Sequence, residues 1–199
     1  MDQNKKYANP STTPFPKILL NFERTAKILD LGCGEGRTLK ALKKQGFLNL
    51  EGIDSNEEAI KKSKKYLDVK NIDVLEFNTT KKYDIILAMG LFSLLQKNEQ
   101  KRLIGKIESL LSKNGAVIFE DFGLNYTLKY IKRYLLNATI TKEYGTFKYK
   151  GLVIHHFSKN ETKELFKDFD LFMKQEKYIS INGNYINGLT VIAWKKTLK

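Results

Sequence analysis

Lys27-Ile28-Leu29-Asp30-Leu31-Gly32-Cys33-Gly34-Glu35-Gly36-Arg37 decides how this chain of 199 residues folds. The stretch opens as an aliphatic run, passes an aspartate and breaks into three alternate glycines. Thr38 to Lys44 follows as a good helix-forming segment, closed by Gly46. A strand, a glycine loop and a helix in that order make a turn that receives nucleotide-like ligands. Glycine lets the backbone come close to such a ligand where any Cβ would collide.

The residues flanking the glycines choose the ligand. A dinucleotide fingerprint wants its last glycine at position 37, where this chain has Arg37. Asp30, at the end of the strand, would repel a pyrophosphate and attract an ammonium group. S-adenosylmethionine (SAM) carries an amino-acid ammonium, a ribose and an adenine, and no phosphate. Here the sequence resembles the class I SAM-dependent methyltransferases, whose first motif matches Ile28 to Gly36 almost letter for letter. The resemblance extends over about residues 17–195. It implies an α/β fold, doubly wound, with a mostly parallel seven-stranded sheet, helices on both faces and an antiparallel C-terminal strand. It also implies SAM as cofactor and S-adenosylhomocysteine as product, with Asp30, Gly32, Cys33, Gly34 and Gly36 on the donor side.

Leu48 to Ile53 reads as the second strand, ending in Asp54. Ser55 and Glu58 have the spacing of a capping box for the next helix. Asp54 then stands at a strand's carboxyl end beside the glycine loop, able to accept from both ribose hydroxyls; the alternative is service to the helix dipole. Ser55 joins the same set. A short third strand, Val69 to Ile72, ends in Asp73. The resemblance implies that Asp73 takes the adenine amine and that the Val74 N–H meets a ring nitrogen, with Glu76 and Asn78 close enough to substitute. Tyr83 to Met89 is apolar enough for a buried parallel strand. By resemblance Ala88, Met89 and Leu91 border the methyl-donor pocket, while Asp84 is structural. Lys97 to Leu111 reads as an amphipathic helix, Ser112 to Gly115 as a turn and Ala116 to Glu120 as the fifth strand.

Residues 121–157 are the least standard part and read as a helix/hairpin cap inserted after strand five. Tyr126 to Leu136 predicts a helix; Ala138 to Phe147 and Tyr149 to Phe157 predict a hairpin. A dimer interface remains the alternative use. Ser158 and Glu161 form a second capping box. Leu171 to Ile181 and Leu189 to Lys195 close the sheet, with turn chemistry at Asn182-Gly183 and Asn187-Gly188. Residues 1–16 hold all three prolines and read as an irregular lead-in, with Tyr7 or Phe15 as a candidate flap over the cofactor. The whole of 1–199 is expected to be one methyltransferase domain.

Hydrophobic residues at 42% and charged residues at 29% describe an ordinary globular chain, which argues against disorder. The single Cys33 excludes an internal disulfide and suits a reducing compartment. With no apolar leader and no run long enough to span a bilayer, the expectation is a cytoplasmic protein with no membrane partner and no metal. The net charge of +13 leaves a nucleic-acid partner open, although the lysines are scattered and arginine is rare.

Methyl transfer from SAM is an in-line displacement on an activated donor, so positioning and water exclusion dominate. The amino-methylating signature Asn/Asp-Pro-Pro-Tyr/Phe is replaced by Met89-Gly90-Leu91-Phe92, against an exocyclic-amine nucleobase substrate. His155 and His156 are the only histidines and candidate bases; neighbours on a strand face opposite ways, so at most one should meet the substrate. Glu120 and Asp121 are the other substrate-side candidates. The expected function is SAM-dependent methylation of a small-molecule acceptor. The alternatives are an RNA or protein methyltransferase, a SAM-binding protein without catalysis, and a nicotinamide oxidoreductase, against which Asp30 and Arg37 speak. Oligomeric state is open.

Overall fold

The computed structural model describes residues 17–149, 151–179 and 185–196. Its strands are β1 (Lys27–Leu31), β2 (Asn49–Asp54), β3 (Asp68–Asn71), β4 (Tyr83–Met89), β5 (Leu111–Phe122), β6 (Thr146–Tyr149), β7 (Leu152–His155), β8 (Phe169–Ile179) and β9 (Tyr185–Lys195). Its α-helices are α1 (Arg37–Lys44), α2 (Glu57–Ser63), α3 (Lys97–Leu110), α4 (Leu128–Thr141) and α5 (Lys159–Leu165).

Side chains alternate across a strand, and here both sides are apolar because both are covered. Ile28, Ile85, Leu87 and Ile118 point to one face and pack with Leu42 of α1 and with Leu19. Leu29, Leu31, Ile86, Val117 and Phe119 point to the other and pack with Leu103, Ile107 and Leu110 of α3 and with Phe166. The sheet order is β3-β2-β1-β4-β5-β9-β8, and β9 alone runs against its neighbours on both sides. This is the expected doubly wound seven-stranded sheet with an antiparallel C-terminal strand. Order reverses between β1 and β4, so the loops after those strands face a shared crevice at the carboxyl edge, where open α/β sheets take ligands.

Four readings need correction. The helix after β5 does not stop near Leu136; it continues to Thr141 and ends at Lys142 in the left-handed region, φ 54°. The β-branched residues Thr139, Ile140 and Thr141 suggested a strand from Ala138, but burial of Tyr134 holds the helix in place, and the hairpin shrinks to β6 and β7. Asn187-Gly188 makes no turn: Gly188 pairs with Phe122 on one side and Glu176 on the other, inside β9. The helix after β2 is capped by Asn56, whose Oδ1 accepts from the Ala59 N–H at 3.1 Å, and not by Ser55. The Ser112 to Gly115 turn is a bulge within β5, since Leu111 pairs with Tyr83 and Ala116 already with Ile85. Tyr7, Phe15 and the Asn182-Gly183 turn lie outside the described residues. Among the described residues no helix is long and apolar enough to cross a membrane.

Candidate active site

The glycine loop is pinned to the end of β2 through its own amides. Gly32 and Cys33 both donate to the Ile53 carbonyl at 2.9 Å, Gly34 donates to Asp54 Oδ2 at 2.8 Å, and Gly36 donates to the Cys33 carbonyl at 2.9 Å. These four bonds fix the shape of the loop before any ligand arrives. Gly34 has φ +52°, and a Cβ there would meet only open space. Gly36 has φ +71°, and a Cβ there would lie 2.3 Å from Leu67 Cδ1. The two glycines therefore serve different ends: one leaves room outward and the other lets α2 close against α1.

Asp54 also accepts the Asn56 N–H on Oδ1 at 2.7 Å, so one carboxylate ties the glycine loop to the start of α2. Asp30 lies beneath, 2% exposed, and its side chain has no hydrogen-bond partner among the described residues. Burial, followed by the Asp54 carboxylate, pushes its pKa from 3.8 up to about 8. The folded, ligand-free state therefore holds this proton more tightly than the unfolded chain. Stability should fall as pH rises from 3.8 to about 8, and no further above that. Thermal unfolding against pH, with Asp30→Asn alongside, checks this: the variant should gain on the parent across that window and then run parallel.

Cys33 packs tightly, its Sγ only 2.9 Å from where a Gly52 Cβ would stand. Burial first, then the Asp30 and Asp54 carboxylates, push its thiol pKa far up, so it is an inert packing group. Leu91 seals the loop from the β4 side, its Cδ1 3.2 Å from the Gly32 Cβ position. Ala88 is fully buried and Met89 half-buried below it. Ser55 is exposed. Asp73 is exposed and turns its Oδ1 to the Leu75 N–H at 2.8 Å, while the Val74 side chain enters the core. The structure thus gathers Asp30, Gly32, Cys33, Gly34, Gly36, Asp54 and Leu91 around one loop, with Asp73 one strand outward.

The substrate-side candidates do not converge on one point. Asp121 is fully buried; its Oδ2 accepts from the Ser93 N–H and its Oδ1 from the Phe122 N–H, both at 2.9 Å, so it fixes the turn after β4. Burial raises its pKa to about 6 against those bonds. Glu120, also buried, pairs in register with Met89 and Thr190. The two histidines diverge as strand neighbours should. His155 meets Thr146 Oγ1 through Nδ1 at 2.7 Å, and its Nε2 is 3.0 Å from Glu161 Oε2. His156 meets the Tyr134 hydroxyl through Nδ1 at 2.7 Å and stacks on Phe122. Burial drives the His156 pKa down to about 3, which keeps the ring neutral and makes it a weak base. Sequence reasoning missed the group around His155, because its members come from separate segments with no regular spacing between them. Glu143, His155 and Glu161 cluster closely enough for a metal, but the Lys97 ammonium already sits 2.6 Å from Glu143 Oε1 and 3.7 Å from Glu161 Oε1. An ion-pair network suffices there.

Beyond the carboxyl end of β5 lies a pocket of about 350 Å³ lined by Leu124, Tyr126, Phe157, Ser158, Lys159, Asn160 and Gln175. The sequence model of the "Methyltransferase domain" family matches residues 5–176. The chain belongs to the class I SAM-dependent methyltransferase family. A SAM-dependent methyltransferase from Methanosarcina mazei superposes with a TM-score of 0.81 at 26% identity, over 90% of this chain and 97% of that one. Carboxy-S-adenosyl-L-methionine synthase from Campylobacter fetus is 33% identical over 165 residues, 73% of this chain and 69% of the relative. Ribosomal protein L11 methyltransferase from Lactobacillus johnsonii is 30% identical over 137 residues, 63% of this chain, and the chain spans only 41% of that relative's length. The residues present fit SAM as donor: Asp30, buried and with no side-chain hydrogen bond among the described residues, offers a carboxyl group that an ammonium would ionise and pair with, and the open space at Gly34 lets a ligand approach the loop.

Proposed function

We propose that this methyltransferase moves the SAM methyl group to a small-molecule acceptor held between the glycine loop and the 121–157 cap, inside a reducing cytoplasm. The pocket beyond β5 carries the reading. At about 350 Å³ it is large enough to hold a small acceptor. Leu124 and Tyr126 line it just past the carboxyl end of β5, the strand that pairs with β4.

In this reading Asp30 takes the ammonium of SAM, Asp54 the ribose hydroxyls, and Asp73 with the Val74 N–H the adenine. Cys33, Ser55, Ala88, Met89 and Leu91 complete the donor wall, and Gly32, Gly34 and Gly36 give it room. SAM supplies the activated methyl carbon; the chain's own part is to hold both reactants in line and keep water out. Leu91 and the Ser93 turn, anchored by Asp121, form the wall between donor and acceptor. His156 positions the cap through Tyr134, and burial keeps its ring neutral and weakly basic. His155 and Glu120 stay as candidates for acceptor contact.

The test is transfer of isotopically labelled methyl from SAM into a cell extract fractionated into small molecules, RNA and protein. Label in the small-molecule fraction, tracked by mass and lost with Asp54→Ala, is the expected outcome. Label confined to RNA or protein overturns the choice of acceptor. No SAM binding by the purified chain overturns the donor site itself.

A further inference from the structure

The outer face of α4 carries four bare aliphatic side chains. Leu128, Leu135, Leu136 and Ile140 are 75, 59, 70 and 72% exposed. Their spacing, seven and eight residues from Leu128 and four more to Ile140, puts them along one side of the helix. The opposite side is the one that packs: Tyr134 is fully buried against Leu124 and Phe147, with Tyr130 beside it. Arg133 then joins this helix to the hairpin, its guanidinium 5.1 Å from the Phe147 ring and 5.9 Å from that of Tyr149. On the hairpin Tyr149, Leu152 and Val153 are exposed as well.

Charge separates the occupants such a face could have. From Phe122 to His155 the chain carries six basic residues, Lys129, Lys132, Arg133, Lys142, Lys148 and Lys150, against one acid. That acid, Glu143, is bound to Lys97 and to the Thr146 hydroxyl. Lys129 and Lys132 are exposed among the bare leucines. An RNA partner would use the lysines but has nothing for a row of aliphatic side chains, because nucleic acid is read by charge, hydrogen bonds and aromatic stacking. A second copy would bury the leucines but bring the same positive charge onto itself. An anionic bilayer surface satisfies both: leucines enter the acyl boundary while lysines reach the phosphates.

We infer that the α4 face, with the β6–β7 hairpin beside it, docks this methyltransferase reversibly on an anionic phospholipid surface. The sequence pointed to no membrane partner because no run is long enough to span. Lying in the interface is a different mode, and it needs amphipathicity instead of length.

Co-sedimentation of the full chain with vesicles tests this, using phosphatidylcholine alone and phosphatidylcholine mixed with phosphatidylglycerol. Binding to the mixed vesicles is expected, weakening as salt rises. A Leu128→Ser/Leu135→Ser/Leu136→Ser variant should bind them ~100-fold more weakly, since the apolar insertion is gone. Its affinity for S-adenosylhomocysteine should match the parent's, which shows that the fold is intact. Mixed-vesicle binding that survives the triple change overturns the inference, because charge alone would then explain it. Failure of the parent to sediment with either vesicle overturns it too. So does a lipid-free dimer that the triple change abolishes, which assigns the face to a second copy.

Discussion

Asp54→Ala should weaken S-adenosylhomocysteine binding ~100-fold or more, by titration calorimetry, while the protein stays folded; two charge-assisted hydrogen bonds at about 1.5–3 kcal/mol each account for a loss of that size. The carboxylate holds Gly34 and Asn56 in place before any ligand arrives, and in the proposed complex it also faces the ribose. Removing it therefore costs both loop order and ligand contact. Asp54→Asn keeps one acceptor oxygen and should fall between the parent and alanine. The stability cost should be modest, because Asp54 is only half-buried and sits at a strand end. An unchanged affinity in the alanine variant would remove the ribose from this carboxylate.

The largest stability effect is expected at Phe119. Its ring is fully buried in β5, meeting Phe92, Phe157 and Phe166 edge-on at 5.4, 5.5 and 5.5 Å. These three partners come from the turn after β4, the segment after the β6–β7 hairpin and the end of α5, so one side chain locks three connections together. Phe119→Ala should cost about 3–5 kcal/mol through lost burial and the cavity left behind. For a domain of this size that corresponds to a fall in melting temperature of about 6–20 °C. Phe119→Leu fills most of the space and should lose far less. A melting temperature for the alanine variant close to the parent's would mean that the cluster collapses around the gap.

The glycine loop, the strands and both carboxylates at the ends of β1 and β2 were legible because each is a local pattern with a local cause. Asp30 and Asp54 stand next to turns whose residues announce them. The second capping box was equally local: Ser158 Oγ accepts the Glu161 N–H at 3.1 Å, and Glu161 Oε2 accepts the Ser158 N–H at 3.4 Å. The misread parts are those where tertiary contacts overrule local preference. Asn187-Gly188 has turn chemistry, yet it lies between two partner strands and stays extended. Ala138 to Thr141 has strand chemistry, yet it prolongs a helix anchored by Tyr134. Buried polar groupings were invisible for a different reason. Glu51 accepts from Lys70, Lys81 and Tyr83, and His155 gathers Thr146 and Glu161, across separations that no local spacing encodes.

The place of β9 between β5 and β8 has a consequence for how the chain is made. While it emerges from the ribosome, β1 to β5 can pair in sequence, but β5 then presents an open row of backbone donors and acceptors. More than sixty residues separate Phe122 from Tyr185, so at about 5–20 residues per second the nascent sheet is left with a raw border for several seconds. Its inner strand Ala116 to Phe119 is apolar and carries no charge, the composition that invites pairing with a neighbouring chain. The growing polypeptide is thus most vulnerable to aggregation just before its final strand slides in, and a chaperone that shields a strand edge would act in that interval.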